Sequence, residues 1–434
     1  MNDNQYPQLS TINSLSIPPG YKQTEVGVIP DDWVVVSLGH CIRGNPTYGI
    51  NAPAIPYDSR FPTYLRITDI TDDGRYTEEA KASVTHGQAS SYLLELGDLV
   101  FARTGASVGK SYLYNEKDGC LVFAGFLIRL RPDFDRLVPA YLWFYAQSNP
   151  YWNWVTVNSM RSGQPGINGR EFASLPIPLP PTKAEQEAIA EALSDADAFI
   201  ESLEQLIAKK HHIKQGAMQE LLTGKKRLPG FSGEWAVKLL GDTATLKARI
   251  GWQGLTTGEY LDIGDYYLVT GTDFMAGYID WINCHYVSES RYKQDKNIQL
   301  KEHDVLVTKD GTIGKVALII KLLVPATLNS GVFVIRPKED GFNPKFFYYL
   351  LSSKVFTEFL VQLSAGSTIN HLYQKDFISF IYKIPTTIHE QTAIATILSD
   401  MDAEIDDLEA KLTKARHIKQ GMMHNLLTGR IRLV

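Results

Sequence analysis

Three short motifs contain residue types that could do chemistry. Gly105–Ser111 reads GASVGKS, close to the GxxxxGK[ST] loop that cradles phosphates with backbone amides and a lysine. It is one residue short of that spacing. The SYLY that follows reads as a strand, whereas phosphate capture needs a helix N-terminus there. The second half of the chain has only GTIGKV at the matching place. The motif is therefore predicted to be a tight turn between strands. NPYW at 149–152 is near the NPP[YFW] signature that grips an extruded base. It lacks the second proline, no glycine-rich cofactor loop lies upstream, and it is predicted to be a helix end. His211 and His212 are adjacent on a helical segment, so their side chains diverge and cannot share a metal. HExxH and a nuclease-like cluster of carboxylates with lysine are missing from the sequence. The expectation is no catalytic residue, no metal and no cofactor in this chain. What is left is recognition.

The elements that must carry recognition come from an internal repeat. Glu185–Leu228 and Glu390–Leu433 align at a constant offset of 205 with 26 of 44 positions identical. Weaker echoes precede them: DDWVVVSLG and GEWAVKLLG, GDLVFARTGASVGK and HDVLVTKDGTIGK, FLIRLRP and VFVIRP. The chain is thus two tandem units, each a divergent region followed by a near-invariant segment. Helices that stayed alike beside domains that drifted suit two readers of different things on one frame.

In the first invariant segment apolar residues recur at Ile189, Leu193, Ala196, Ile200, Leu203 and Ile207. In the second they recur at Ile394, Leu398, Met401, Ile405, Leu408 and Leu412. Alternating steps of four and three are the heptad of a coiled-coil seam. Thr182 with Glu185, and Thr387 with Glu390, form capping boxes. Gly224 and Gly429 suit the left-handed position past a helix end. Nearly 40 residues give a helix of about 60 Å, which needs a partner. Over Pro181–Glu204 there are seven acids and one lysine, and over Gln205–Gly230 six bases and one acid. The second helix repeats this division. Antiparallel pairing sets each acidic half beside a basic half, so the two helices are expected to pair antiparallel within one chain, with pseudo-two-fold symmetry. An intermolecular coiled coil is the alternative. Gly216 and Gly421, both in HIKQG, cost up to ~1 kcal/mol each in a helix. They mark a harmless kink or close approach by another protein backbone.

The divergent regions carry short β-like runs at Thr63–Ile67, Asp98–Ala102, Tyr266–Thr270 and Val332–Ile335. Aromatic helical stretches follow from Pro139 and Pro344, then glycine-rich polar loops from Asn158 and Leu363. The fold class is α+β: two tandem mixed domains separated by two long helices. The predicted layout is a flexible tail over 1–20, a first domain over 21–181, a central helix over 182–224, a second domain over 225–386 and a final helix over 387–434.

The 434 residues carry a net charge of −5, which argues against a uniformly basic nucleic-acid binder. Mapping reverses that. Residues 31–100 have five bases and ten acids, and 231–300 six and nine; residues 101–180 have eight and five, and 301–384 ten and seven. Both basic segments contain a Gly-rich turn and a polar loop, the mix that contacts phosphates and base edges. Three separated cysteines, Cys41, Cys120 and Cys284, argue against disulfides and for a reducing cytoplasm. The N-terminus lacks the pattern of a signal peptide. The most apolar stretch, Val316–Val324, is far short of a membrane span, so no membrane partner is expected.

On these residues the chain resembles the specificity (S) subunits of type I restriction–modification systems. YKQTEVGVIPDDW at 21–33 and LPGFSGEW at 228–235 open the divergent domains. PPTKAEQEAIA and IPTTIHEQTAIA open the helices, and IKQGAMQELLTG and IKQGMMHNLLTG end them. The likeness covers nearly the whole chain past about residue 20. It implies two target-recognition domains, each reading half of a bipartite, asymmetric sequence in double-stranded DNA, with the paired helices as spacer. It implies docking of two modification subunits, which bring S-adenosylmethionine, and of two restriction subunits, which use ATP and Mg. It places the GxxGK turn and the Gly-rich loop in the recognition domains. The candidate DNA contacts are then Tyr48, Arg103, Thr104, Ser107, Lys110, Arg161, Ser162, Gln164, Asn168 and Arg170 in the first domain. In the second they are Lys309, Asp310, Thr312, Lys315, Ser367, Thr368, Asn370, His371, Gln374 and Lys375. Pairing or partner contact falls to Ile189, Leu193, Ile200, Leu203, Ile207 and Gly216, with Ile394, Leu398, Ile405, Leu408, Leu412 and Gly421. The competing reading is a coiled-coil assembly protein that does not read DNA.

Overall fold

A computed structural model describes residues 17–161, 163–364 and 371–433. The chain forms two compact units. The first runs to Leu203 and takes in the chain from Lys411 onward; the second is Glu204–Ala410. Neither unit is continuous with one helix. Each contains half of the central helix, Lys183–Leu221, and half of the final helix, Ile388–Leu426. Both helices have 39 residues, as the repeat predicts. Most of the tail over 1–20 lies outside the described residues.

In the first unit an antiparallel sheet has the order Thr47–Tyr48, Leu127–Leu130, Leu99–Ala102, Ser111–Leu113. The second unit repeats it as Ala244–Lys247, Val332–Pro337, Val305–Thr308, Val316–Leu318. Leu99–Ala102 and Val305–Thr308 are buried along their whole length because both faces are covered, which explains their largely apolar runs. A second small sheet in each unit holds one parallel pair: Thr63–Leu65 with Leu121–Phe123, and Tyr267–Val269 with Ala326–Leu328. Helices and one more strand follow. That strand, Pro176–Leu179 or Ile381–Ile384, pairs back with an early strand of the unit, Val34–Ser37 or Ala236–Leu239. This is the α+β class expected.

Each core is sealed by both helices. In the first unit Trp33, Phe101, Tyr141 and Phe144 pack with Ile189 and Leu193 from one helix, with Leu426 from the other and with Leu427 just past its end. In the second, Phe346, Phe347 and Tyr382 pack with Leu221, Leu222, Ile394 and Leu398. Two expectations change. NPYW does not end a helix: Pro139–Tyr145 stops, Ser148 stands at the N-cap, and Asn149–Ser159 begins a new helix with Pro150 in its first turn. The capping boxes are one-sided. Thr182 and Thr387 accept from the Glu185 and Glu390 amides at 3.3 Å, but both glutamate carboxylates are bonded to arginines elsewhere. No helix among the described residues is long and apolar enough to cross a membrane.

Candidate nucleic-acid interface

In the first unit the turn 103–110 joins two antiparallel strands. Gly105 and Gly109 sit at φ +73° and +90°, conformations that L side chains rarely adopt. A Cβ on Gly109 would also lie 2.8 Å from Val155. The polar loop lies along this turn. Thr104 bridges Gly166, the Gly105 amide donates to the Pro165 carbonyl at 3.0 Å, and the Ile167 amide donates to the Arg103 carbonyl at 2.9 Å. Tyr48, from the edge strand, completes the patch. Its ring lies 4.7 Å beneath the Arg103 guanidinium, and its hydroxyl accepts from the Gly169 amide at 3.0 Å. The Arg103 Nε is buried without a protein partner among the described residues. Thus Tyr48, Arg103, Thr104 and Gln164 meet on one surface, with Ser107 in the turn beside them.

Other predicted contacts are committed elsewhere in the fold. Lys110 pairs with Asp72 at 2.6 Å. Arg161 pairs with Glu171 at 2.5 Å and donates to the carbonyls of Asn158 and Met160. Asn168 caps the helix Gly169–Ala173, accepting from the Arg170 and Glu171 amides at 2.9 and 3.0 Å. Arg170 stands exposed in that helix.

The second unit repeats the backbone plan with other side chains. Asp310 bridges His371, and the Leu372 amide donates to the Lys309 carbonyl at 2.9 Å. Here side chains add to the bridge, because the Asp310 carboxylate bonds His371 Nδ1. Thr308 Oγ1 ties the turn by donating to the Thr312 carbonyl at 2.6 Å and accepting from the Lys315 amide at 2.9 Å. The Lys309 ammonium lies 5.4 Å from the Phe333 ring centre. His371 packs on Tyr373, and Lys375 lies 5.7 Å from that ring. Gln374 donates weakly to the Leu246 carbonyl at 3.4 Å. Ser162, Ser367, Thr368 and Asn370 lie outside the described residues. Among the described residues no three His, Cys, Asp or Glu side chains are placed to hold a metal ion.

The helices are joined within each unit by the same contacts twice. Arg432 bonds both carboxylate oxygens of buried Glu185, and Arg227 bonds both of Glu390. Lys419 pairs with Asp197 at 2.6 Å, and Lys214 pairs with Asp402. Each pair maps onto its counterpart at the repeat's offset, and each joins the acidic half of one helix to the basic half or tail of the other. The helices are therefore antiparallel in both units. Reading charge by halves gave the direction but missed these residues. Their signal was opposite charges kept identical in both copies. Ile189, Leu193, Ile200, Leu203, Ile207, Ile394, Leu398, Ile405 and Leu408 are buried, while Leu412 is half-buried. Gly216 and Gly421 are exposed, with nothing within 4 Å of where a Cβ would stand. A cleft of about 450 Å³ opens beside Gly421, lined also by Val26, Pro150, Met423 and Leu427.

This doubled surface of cations, amides and backbone turns, on a frame repeated by two helices, agrees with known proteins. The profile of the type I restriction modification DNA specificity domain matches twice, over residues 30–210 and 233–415. A Methanocaldococcus jannaschii protein assigned as the MjaX type I restriction enzyme specificity subunit is 28% identical over 431 residues, spanning 95% of this chain and 97% of that one. The MjaVIII specificity subunit of the same organism is 24% identical, spanning 93% and 94%. Among solved structures, the type I S subunit of M. genitalium superposes with a TM-score of 0.58 at 16% identity, covering 91% of this chain and 96% of that one. A chain of another type I R-M system gives 0.55 at 16% identity, covering 93% and 99%. The chain belongs to the type I restriction–modification specificity family, as a specificity subunit with two target-recognition domains.

Proposed function

We propose that each recognition domain reads one half of a bipartite, asymmetric DNA target through its turn and polar loop, and that the paired helices set the spacing of the halves. Arg103 and Gln164 in one domain, and Lys309 and Lys315 in the other, supply the cationic and amide groups suited to phosphates and base edges. The observation that carries the reading is the repeated bridge between turn and loop, Thr104 to Gly166 and Asp310 to His371, on one backbone plan with different side chains. A common frame with unlike contacts is what two unlike half-sites require.

As a specificity subunit the chain is the non-catalytic member of its complex, acting with methyltransferase and restriction subunits on DNA. We assign two copies of each partner, one modification subunit to each of the two similar units. S-adenosylmethionine, ATP and Mg then belong to the partners, and the complex works in the cytoplasm. The exposed glycine faces at Gly216 and Gly421 give a partner backbone room to approach. The test is exchange of residues 31–180 for those of a relative, followed by mapping of methylated adenines in a host carrying the complete system. One half of the recognised site should change. Change in both halves, or in neither, would defeat the modular reading.

A further inference from the structure

Phe126 lies outside every role assigned so far. It occupies the tip of a tight turn, where the Leu127 amide donates to the Ala124 carbonyl at 2.8 Å. Its own carbonyl accepts from the Arg103 amide at 3.0 Å, which fixes it beside the Tyr48–Arg103 pair. The side chain is 59% exposed and belongs to no core cluster. Among the described residues no other ring packs against it and no cation lies over it. The fold does not need an aromatic there. In the second unit the Lys309 amide makes the same bond to Gly331, which has no side chain.

A phenylalanine held in water beside Arg103, whose turn also carries Gln164 against Gly105, completes a base-reading set. Arg suits guanine, Gln suits adenine, and an apolar side chain suits the thymine methyl group. We propose that Phe126 is a specificity-determining residue of the first recognition domain, making an apolar contact with the methyl group of a thymine. This rests on the reading of that domain as a DNA reader.

The test uses the complex of this chain with its modification subunits. Methylated-adenine mapping first gives the half-site read by the first domain. Competition binding then compares the target duplex with duplexes carrying deoxyuridine in place of each thymine of that half-site, one at a time. For the wild type, one such replacement should weaken binding about fourfold, the value of one buried methyl. Phe126→Ala should weaken binding to the intact target and be indifferent to that same replacement. Phe126→Leu should keep the sensitivity, which separates loss of the contact from loss of the fold. Equal sensitivity of wild type and Phe126→Ala at every thymine would overturn the proposal while leaving the domain reading intact. A wild-type complex that does not distinguish its target from unrelated duplex would overturn both.

Discussion

Arg227 holds Glu390 with Nε and Nη2, at 2.6 and 2.8 Å from the two carboxylate oxygens, and the Glu390 side chain is only 4% exposed. The same fork closes on Glu185 from Arg432. Each arginine lies just beyond the end of one helix, and each glutamate lies in the first turn of the other. The ends of the antiparallel pair are therefore latched by charge as well as by apolar packing. Removing an arginine strands a buried carboxylate. Arg227→Ala and Arg432→Ala should each cost about 3 kcal/mol. Glu185→Ala should cost less, because Arg432 keeps Asp32 at 3.1 Å and is a third exposed. Urea unfolding midpoints of the purified chain check the order.

The glycines of the helical segments should separate into two kinds. Gly216→Ala and Gly421→Ala meet open space and should stabilise the isolated chain by up to ~1 kcal/mol each. Gly429→Ala should destabilise by ~1–2 kcal/mol, because its φ is +67° and a Cβ would lie 2.5 Å from Pro30. If Gly216 and Gly421 admit a partner backbone, the first two variants should melt higher yet bind the modification subunit more weakly in calorimetry.

Arg103 and Lys315 should behave differently towards DNA. Arg103 lies over Tyr48 against the polar loop, so Arg103→Ala should cost ~1–3 kcal/mol and relax discrimination within one half-site only. Lys315 carries no ion pair among the described residues and is set in the opposite domain's turn. Lys315→Ala should weaken all sequences alike and lower the salt slope by about 1. Fluorescence anisotropy over a salt series reads both.

Lengthening the helical frame should move the half-sites apart. Inserting four residues, about one turn, near the middle of the central helix should lengthen the unspecified gap between the halves and leave each half unchanged. Methylome mapping of a host carrying the variant gives the gap directly. An unchanged gap would count against the helices as a spacer.

The tyrosine-rich cores set an alkaline limit. Burial pushes the phenols of Tyr348 and Tyr382 up to about 12, and those of Tyr141 and Tyr151 well above the ordinary value. A folded-state pKa above the unfolded one gives stability that is complete below about pH 10 and is lost as pH rises through the folded value. For Tyr382, 2% exposed, that loss is on the order of 2–3 kcal/mol by pH 12. Unfolding followed by circular dichroism should coincide with the rise of tyrosinate absorbance between pH 10 and 12.

Much of this architecture was legible in the sequence. The offset of 205, the heptads from Ile189 and Ile394, the left-handed Gly224 and Gly429, and the acid-then-base division dictate two equal antiparallel helices. Those signals are local: a helix brings residues three and four apart onto one face whatever surrounds it. The turn at Gly105–Lys110 was legible for the same reason. Only the tertiary structure decided that Arg103 lies over Tyr48, that Thr104 meets Gly166, that Lys110 is committed to Asp72, and that Arg432 reaches Glu185 across 247 positions. These contacts join segments far apart in the chain, and those of the recognition domain rest on strands of two to four residues. Strands so short carry too little alternation to fix their own register, so packing against the rest of the unit fixes it instead.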